Sequence, residues 1–532
     1  MKRKLFIDSE KNSVVSNLST LLLLFCLGFL QNGLAETETT YEIIAEGLIN
    51  PKAMVFDKNG KLYVAESGKP GKVTIPLPAA YGVAPLGDTG RISLISDGKR
   101  HDFINNLPNM GLYGGREMLG PSALALVNGE VFYAPALHAT EVPKLYKIVN
   151  GKLEVFADIG DFNSKNPPPA SNGDAHIGNP YDMVAVGTDI YITDGNYNRV
   201  IKVNKKAEIE VFAAYENSPV TTGIDADKDG YLYIAQFSPA PYLKGTSTID
   251  RISPKGEIQK GYINNLTNAV DVAFSPEGDM FILQFAGQFN HEKLLYKPYT
   301  GVLHKVLKDG TTKEVLTNLV FPTMMTFDKE GYLYISNFGN QANDGQGQIL
   351  KVKLGDKPAV GPKVANPSGE EWAAPPEAPN AGALYDHLKD DSGVIVKIIE
   401  DSDVMKWGYD PASISVKAGD KITFINMGKV PHTATAHNGA FDTGFLNSGE
   451  SKTITIDKAD DYTYYCLPHP WMKADISVSG AKQASAKHQP KAKLAREETT
   501  FSGTPPIFIA LLLCAIFIAL ALITIFFRKK TS

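Results

Sequence analysis

Gly230-Tyr231-Leu232-Tyr233-Ile234 is a turn glycine followed by an apolar–aromatic–apolar strand, and stretches of this kind occur six times in the chain. Alternating side chains with a period of two are typical of β-strands. The central aromatic residues are 42 to 69 residues apart, which indicates an internal structural repeat. The six copies are GKLYV at 60–64, GEVFY at 129–133, DIYI at 189–192, GYLYI at 230–234, GDMFI at 278–282 and GYLYI at 331–335.

A second strand follows each copy, and a third strand follows in five of the six units. The last unit lacks its third strand, whereas residues 41–48 at the front of the chain resemble the third strand at residues 313–319. We expect the N-terminal strand to pair into the last unit, because closing the ring removes exposed sheet edges. The repeats therefore predict an all-β fold with a six-bladed β-propeller over residues 41–355.

This region resembles the NHL-type propellers. Gly47-Leu48-Ile49-Asn50-Pro51 and Tyr63-Val64-Ala65-Glu66-Ser67-Gly68 are most similar to the propeller family that is named after scytonemin biosynthesis proteins. These motifs belong to the scaffold, so the resemblance implies a fold and not an activity.

Length and charge exclude several classes of protein. A chain of 532 residues exceeds what one hydrophobic core normally organises, so more than one domain is expected. The formal net charge is -5, with 53 basic and 58 acidic side chains and no basic stripe. Nucleic acid is therefore not an expected partner.

The N-terminal segment has the pattern of an export signal. An apolar run at residues 18–30 follows several basic residues and leads into Gly33-Leu34-Ala35, which predicts a signal peptide over residues 1–35. An uncleaved anchor is the alternative, because the segment before the apolar run is long and contains Asp8 and Glu10. Both interpretations place the body of the protein outside the cytoplasm.

The C-terminal segment predicts a membrane anchor. Residues 507–527 are uncharged and apolar, and such a run spans about 31 Å as a helix. Arg528-Lys529-Lys530 follows, so the positive-inside rule puts the tail at 528–532 in the cytoplasm. We expect a single-pass helix at 505–527 with the body on the periplasmic or cell-surface side. A wall-sorting signal is less favoured, because no LPxTG-like motif precedes the run.

Two linkers separate the predicted domains. Residues 356–385 are rich in proline and alanine and predict an extended spacer, and residues 480–504 form a polar linker before the anchor. Between the linkers, residues 386–479 again contain short strands, near 394–399, 413–416, 421–426, 451–456, 462–466 and 474–478.

The second domain carries the clearest chemical signal, Cys466-Leu467-Pro468-His469-Pro470-Trp471-Met472, with His432 34 residues before the cysteine. Cys466 is the one cysteine between the two predicted membrane-targeting segments, and a lone thiol in an oxidising compartment is a liability unless something occupies it. A thiolate, two imidazoles and a thioether are soft ligands that suit copper and permit electron transfer with little rearrangement. Metal ligation by these residues is favoured over a buried cysteine with incidental neighbours.

Residues 404–479 resemble cupredoxins of the amicyanin and plastocyanin type, with Val416-Lys417-Ala418-Gly419-Asp420 and Phe424-Ile425-Asn426 as further similarities. The two residues between histidine and methionine match amicyanin. The resemblance implies a β-sandwich with one type 1 copper, in which His432, Cys466 and His469 are equatorial ligands and Met472 is the axial ligand. It also implies that Asn426 braces the ligand loop.

We expect the edge of the His469 imidazole to emerge through an apolar patch that serves as an electron port. Pro468, Pro470 and Trp471 would form the patch, although Trp471 as a core residue is the alternative. Small apolar interfaces suit redox partners that must separate quickly. A second copper centre is not expected, because the remaining histidines of the domain, His387 and His437, do not form the necessary pairs.

Polar residues three positions after the repeat aromatics suggest a ligand site at the mouth of the propeller channel. Equivalent positions in a ring converge on its axis, which makes these side chains candidates for binding a polar ligand. Polar strand ends without a ligand are the alternative interpretation. The residues are Glu66, Asp194, Gln236, Gln284 and Asn337.

Together these features predict a membrane-anchored extracytoplasmic electron carrier with one type 1 copper. Its partner would be a redox protein such as a c-type cytochrome or a dehydrogenase, and the propeller would bind a partner or ligand. One alternative is an oxidoreductase whose propeller oxidises a small molecule and passes electrons to copper. Another is copper sequestration or delivery.

Overall fold

The computed structural model describes residues 36–76, 83–112, 117–136, 142–168, 178–216, 220–290, 295–340, 345–362 and 393–480. The predicted signal peptide, most of both linkers, the membrane helix and the tail lie outside these residues. Within the described ranges, no helix has the length and apolar character needed to cross a bilayer.

The described part of the chain is almost entirely β-structure, and six sheets follow one another between residues 40 and 360. The chain begins with β1 (Thr40–Leu48). Sheet one contains β2 (Pro51–Phe56), β3 (Leu62–Glu66), β4 (Val73–Pro76), β5 (Val83–Ser96), β6 (Lys99–Leu112) and β7 (Glu117–Leu119). Sheet two contains β8 (Pro121–Val127), β9 (Glu130–Pro135), β10 (Leu145–Val149) and β11 (Lys152–Ala157), and the short helix α1 (Ile159–Lys165) follows it.

The next two sheets have four strands each, in sequence order. Sheet three contains β12 (Pro180–Val186), β13 (Asp189–Asp194), β14 (Arg199–Val203) and β15 (Ile209–Ala214). Sheet four contains β16 (Val220–Ala226), β17 (Leu232–Phe237), β18 (Ser247–Ile252) and β19 (Ile258–Leu266).

The last two sheets complete the series. Sheet five contains β20 (Ala269–Phe274) and β21 (Met280–Gln284), then β24 (Gly301–Val306) and β25 (Thr312–Leu319) after a hairpin of β22 (Phe289–Asn290) and β23 (Leu295–Tyr296). Sheet six contains β26 (Met325–Phe327), β27 (Leu333–Asn337) and β28 (Gly347–Lys353), and its outer strand is β1.

The six sheets form a closed ring, because the first strand of each sheet contacts the first strand of the next, and β26 contacts β2. The N-terminal strand completes sheet six as predicted, with Tyr41 opposite Val352 and Ile43 opposite Leu350 in antiparallel register. This sheet order defines a six-bladed β-propeller whose first and last segments share one blade. Hydrophobic side chains of neighbouring blades pack together and form the core between them.

The repeat motif predicts three strands in a unit, and the structure adds an innermost strand to every blade. These strands are short or buried along most of their length, so they lack the alternation that marks the others; Pro51–Phe56, for example, begins with four buried residues. A second difference concerns the linker predicted at 356–385. Its first residues remain attached to the ring, because β29 (Ala359–Val360) pairs parallel to β25.

Carboxylates on the inner strands connect successive blades. Asp182 accepts a hydrogen bond from the backbone N–H of Ile224 in the next blade, at 3.0 Å. Asp225 and Asp271 repeat the contact, with the N–H groups of Phe274 at 2.8 Å and Met325 at 2.7 Å. These side chains are buried or nearly so, and the pKa of each is raised because burial disfavours the charged form.

The second domain is a sandwich of two four-stranded sheets. One sheet has the order β31 (Gly408–Asp410), β30 (Val394–Ile399), β33 (Lys421–Asn426) and β35 (Ser451–Thr455). The other has the order β32 (Ser413–Lys417), β37 (Lys473–Ser479), β36 (Asp460–Tyr465) and β34 (Thr435–Ala436). A 3₁₀ helix at Val404–Lys406 lies between β30 and β31.

One hydrophobic cluster fills this sandwich and includes Phe424, Tyr464, Cys466 and Met472. The alternating burial of Lys473–Ser479 shows how a strand with one apolar face covers such a core. The six strand positions predicted from the sequence agree with the structure, whereas the short strands at Gly408–Asp410 and Thr435–Ala436 were not predicted.

Candidate metal centre

The ligand atoms of His432, Cys466 and His469 lie within 4.8 Å of one another, and all three residues are buried. The Sγ atom of Cys466 is 3.5 Å from Nδ1 of His432 and 3.5 Å from Nδ1 of His469. The two Nδ1 atoms are 3.0 Å apart. Three donor atoms that converge on one buried position can hold a metal ion without a change of the fold.

Sheet pairing brings His432 to this point. The residue follows β33, and its backbone N–H and C=O both bond to Leu446, at 3.1 and 2.8 Å. Cys466 comes directly after β36 and is held next to His432, because the backbone N–H of Thr433 lies 3.4 Å from Sγ. Strands with fixed register therefore position both ligands before metal arrives.

The other two residues of the predicted ligand set lie on the turn between β36 and β37. The N–H of His469 donates to the C=O of Cys466 at 3.2 Å, and the N–H of Met472 donates to the C=O of His469 at 2.9 Å. The N–H of Cys466 donates to the C=O of Met472 at 3.1 Å and closes the loop. Met472 is 1% exposed, so its thioether belongs to the same dry site.

Asn426 lies where the resemblance places a bracing residue. Its Nδ2 donates to the C=O groups of Val430 at 2.7 Å and Leu446 at 2.8 Å, and its Oδ1 accepts from the N–H of Gly428 at 2.8 Å. The side chain is fully buried. It therefore joins the segment before His432 to the segment that pairs with it.

Glu400 is a neighbour of the site that the sequence analysis did not identify. Its Oε1 lies 3.0 Å from Nε2 of His432 and accepts from the backbone N–H groups of Lys429 and Val430. Burial alone would raise the pKa of Glu400, but these hydrogen bonds outweigh it and hold the pKa below its usual range. A lone glutamate after a strand carries no sequence pattern that could have marked it.

Trp407 is the second neighbour that the sequence analysis missed. Its ring lies 5.2 Å from the His469 ring at an interplanar angle of 79°, and its Nε1 donates to the C=O of Asp401 at 2.7 Å. The expectation that the edge of His469 reaches the surface is therefore wrong, since the residue is 1% exposed. A sequence can show that a tryptophan is present but not that it lies on a particular histidine.

The other residues of the predicted electron port reach solvent to different extents. Pro470 is exposed, and Pro468 and Trp471 are partly buried. The Trp471 ring lies 5.2 Å from the His469 ring, and its Nε1 donates to the C=O of Val404 at 2.7 Å. Trp471 thus contacts both the ligand and the surface.

His437 does not join the cluster. It is exposed, and its ring stacks on Tyr465 with centroids 4.3 Å apart. This agrees with the interpretation of His437 as a surface residue. His387 lies outside the described residues.

The donor set fits copper. His432 can donate from Nε2 to the Glu400 carboxylate, which leaves its Nδ1 lone pair directed at the cluster. Burial raises the pKa of the Cys466 thiol to about 12, although hydrogen bonds from Thr433 and His469 lower it. A bound cation would stabilise the thiolate, so metal uptake would release the proton. Soft sulfur with two imidazoles is the donor set that selects copper.

The five polar residues proposed to line the channel mouth form hydrogen bonds inside their own blades. Glu66 is fully buried and pairs with Arg91 at 2.6 Å, while Asp194 is fully buried and accepts from the N–H of Asn179 at 2.8 Å. These two side chains therefore brace neighbouring strands. Gln236 bonds to Asp250, Gln284 to the C=O of Thr300, and Asn337 to Gln348 and the N–H of Val320.

The sandwich and its buried Cys–His–His–Met cluster define the cupredoxin class with one type 1 copper. The sequence profile of copper binding proteins of the plastocyanin/azurin family matches residues 395–479. Chloroplastic plastocyanin from Tetradesmus obliquus is 31% identical over 118 residues, covering 20% of this chain and 73% of that protein. Through this domain the chain belongs to the plastocyanin/azurin family.

Two further proteins illustrate the range of similarity. Amicyanin from Paracoccus denitrificans is 31% identical over 81 residues, covering 14% of this chain and 62% of amicyanin. A structure from Thermus thermophilus, described as an oxidoreductase (glucose dehydrogenase), aligns with 59% of this chain and all of its own length, at 14% identity and a TM-score of 0.41. The sheet order, and not this last likeness, defines the propeller.

Proposed function

We propose that the protein is a membrane-anchored extracytoplasmic electron carrier that uses its type 1 copper for electron transfer. The observation that carries the redox role is the convergence of the Cys466 Sγ and the two histidine Nδ1 atoms in a buried site. Copper supplies one-electron redox chemistry when it is bound. The chain supplies a rigid ligand set, since each ligand is held by backbone hydrogen bonds.

Rigid ligands favour electron transfer over other uses of copper. Because strands and a closed turn fix the ligands, copper in both oxidation states would meet nearly the same ligand arrangement, and little reorganisation would accompany the transfer. Sequestration or delivery would instead require ligands that release the metal readily. The ligands are at most 1% exposed and lie within a hydrophobic core that includes Phe441 and Leu446.

The route of the electron follows from the same contacts. His469 touches both Trp407 and Trp471, and Trp471 is partly exposed beside the exposed Pro470. We place the contact with a redox protein partner, such as a c-type cytochrome or a dehydrogenase, at this surface. The propeller would serve as a module that binds the partner or a ligand.

A spectrum of the copper-loaded full chain tests the redox role. We expect an intense thiolate-to-copper band that bleaches with ascorbate and is absent in Cys466→Ser. His437→Ala is the matched control, because it removes an exposed histidine of the same domain and should leave the band unchanged. A chain that binds copper without this band would contradict electron transfer and favour sequestration.

The membrane anchor needs a separate test. The proposal rests on the apolar run at 507–527 and the basic residues after it. Cell fractionation should find the full chain in the membrane and a chain that ends at residue 504 in the soluble extracytoplasmic fraction. N-terminal sequencing must first show that both chains are cleaved after residue 35, because an uncleaved N-terminal segment would hold either chain in the membrane. Equal membrane association of the two cleaved chains would then contradict an anchor at 505–527.

A further inference from the structure

Glu400 extends the site beyond the four ligands of the predicted set. It follows the strand Val394–Ile399 directly and contacts His432, which is 32 residues later in the sequence. Its side chain is 13% exposed, so solvent screens the carboxylate only weakly. The Oε1 atom is 3.0 Å from Nε2 of His432, on the side of the ring opposite the donor cluster.

The loop before His432 is folded around this carboxylate. The same Oε1 atom accepts from the N–H of Lys429 at 2.8 Å and of Val430 at 2.9 Å. A Cβ atom on Gly428 would lie 2.1 Å from Oε1, so a larger residue there would displace the glutamate. Three donors and one glycine thus hold Glu400 in a single position.

The contact has two consequences for the ligand. An Nε2–H that donates to the carboxylate fixes the tautomer of His432 and leaves Nδ1 as the metal-binding atom. The negative charge of the carboxylate also attracts a metal ion bound at the other ring nitrogen, and it attracts a doubly charged ion more strongly than a singly charged one.

We propose that Glu400 is a positioning residue for the copper site, which orients His432 and favours Cu(II) over Cu(I). The inference rests on the proposed electron-transfer function. It predicts a lower reduction potential in the native chain than in a chain with a neutral residue at position 400.

Two substitutions separate orientation from charge in the copper-loaded full chain. Glu400→Gln keeps an acceptor for His432 but removes the charge; the blue band should remain, and the preference for Cu(II) should fall about tenfold, which raises the potential by about 59 mV. Glu400→Ala removes the acceptor as well, and its affinity for Cu(II) should fall about 10- to 100-fold. Asp457→Asn is the control for net charge, because Asp457 is an exposed carboxylate of the same domain.

The outcomes distinguish this inference from the proposed function. A blue native chain in which Glu400→Gln shifts the potential no more than Asp457→Asn overturns the role of Glu400 alone. A native chain without a blue band overturns the proposed function as well. Selective histidine labelling of the metal-free native chain gives a test by NMR that needs no variant. We expect His432 as the Nε2–H tautomer, and an Nδ1–H tautomer would overturn the inference.

Discussion

The Trp407 ring lies edge-on to the His469 ring, with centroids 5.2 Å apart, and His469 is 1% exposed. Trp407 is 8% exposed and follows a 3₁₀ helix far from the ligand loop in sequence. The His469 ring, which the sequence led us to expect at an apolar surface patch, thus packs against a buried aromatic side chain. Trp407 should therefore slow the access of a small dissolved reductant to the site. A protein partner would instead make contact at the surface formed by Trp471 and Pro470.

Replacement of Trp407 should open the site to small reductants. Trp407→Phe removes part of the ring and the hydrogen bond from Nε1 to Asp401, at a cost of about 1–3 kcal/mol in unfolding free energy. We expect the copper band to remain and its bleaching by ascorbate to accelerate, as measured by stopped-flow absorbance. Met405→Ala, on the same segment and 52% exposed at the native residue, should leave the rate unchanged. Equal rates in native and Trp407→Phe chains would show that Trp407 does not limit access.

Removal of the Asn426 amide should loosen the ligand loop. Asn426→Ala leaves the buried C=O groups of Val430 and Leu446 without that donor, so we expect a loss of about 3 kcal/mol in stability of the copper domain. The loss should be measurable as a lower urea midpoint of the metal-free chain by tryptophan fluorescence, because all three tryptophans lie outside the propeller. Asn438→Ala, at an exposed turn, is the matched control. A midpoint equal to that of the control would contradict a bracing role.

Glu66 should matter for the stability of the propeller and not for copper. Glu66→Gln breaks a buried ion pair with Arg91, and we expect a cost of about 3 kcal/mol because the guanidinium loses its charged partner. Far-UV circular dichroism during urea unfolding measures this cost, and the copper band should be unchanged. Glu130→Gln, which affects the exposed pair with Lys147, should cost under about 1 kcal/mol. A Glu66→Gln chain as stable as the native chain would contradict a bracing role for Glu66.

Propeller stability should fall as the pH rises from about 4 to about 6. Burial raises the pKa of Asp225 to about 6 from an ordinary value of 3.8. In this window the unfolded chain has lost the proton and the folded chain retains it, so each increase in pH favours unfolding. The loss from Asp225 amounts to about 3 kcal/mol and ends above the folded-state pKa. Asp182 and Asp271, whose pKa values burial also raises, add in the same direction.

The Asp225→Asn variant tests this dependence. It should flatten the slope of stability against pH, measured as urea midpoints by circular dichroism between pH 4 and pH 8. Asp229→Asn, which replaces an exposed carboxylate of the adjacent turn, should keep the native slope. Parallel slopes in both variants would contradict the assignment to Asp225.

Local patterns in the sequence determined the strands and the ligand set. Residues 230–234 and their five counterparts alternate with a period of two because one face of each strand is buried, and this signal needs no knowledge of distant residues. Cys466, His469 and Met472 were found for a similar reason. They share one short turn, so their spacing in sequence nearly fixes their spacing in space.

Contacts between distant segments could be decided only by the tertiary structure. Packing closes Glu66 and Asp194 to solvent, brings Glu400 to His432 and lays Trp407 on His469. Each of these depends on which segments meet across the fold, and a single glutamate or tryptophan leaves no periodic trace in the sequence. The sequence by itself thus identified a propeller and a copper site, because both are encoded in short local patterns. The positions of Glu400 and Trp407 beside the site were decided by the tertiary structure, because they depend on packing between segments that are distant in sequence.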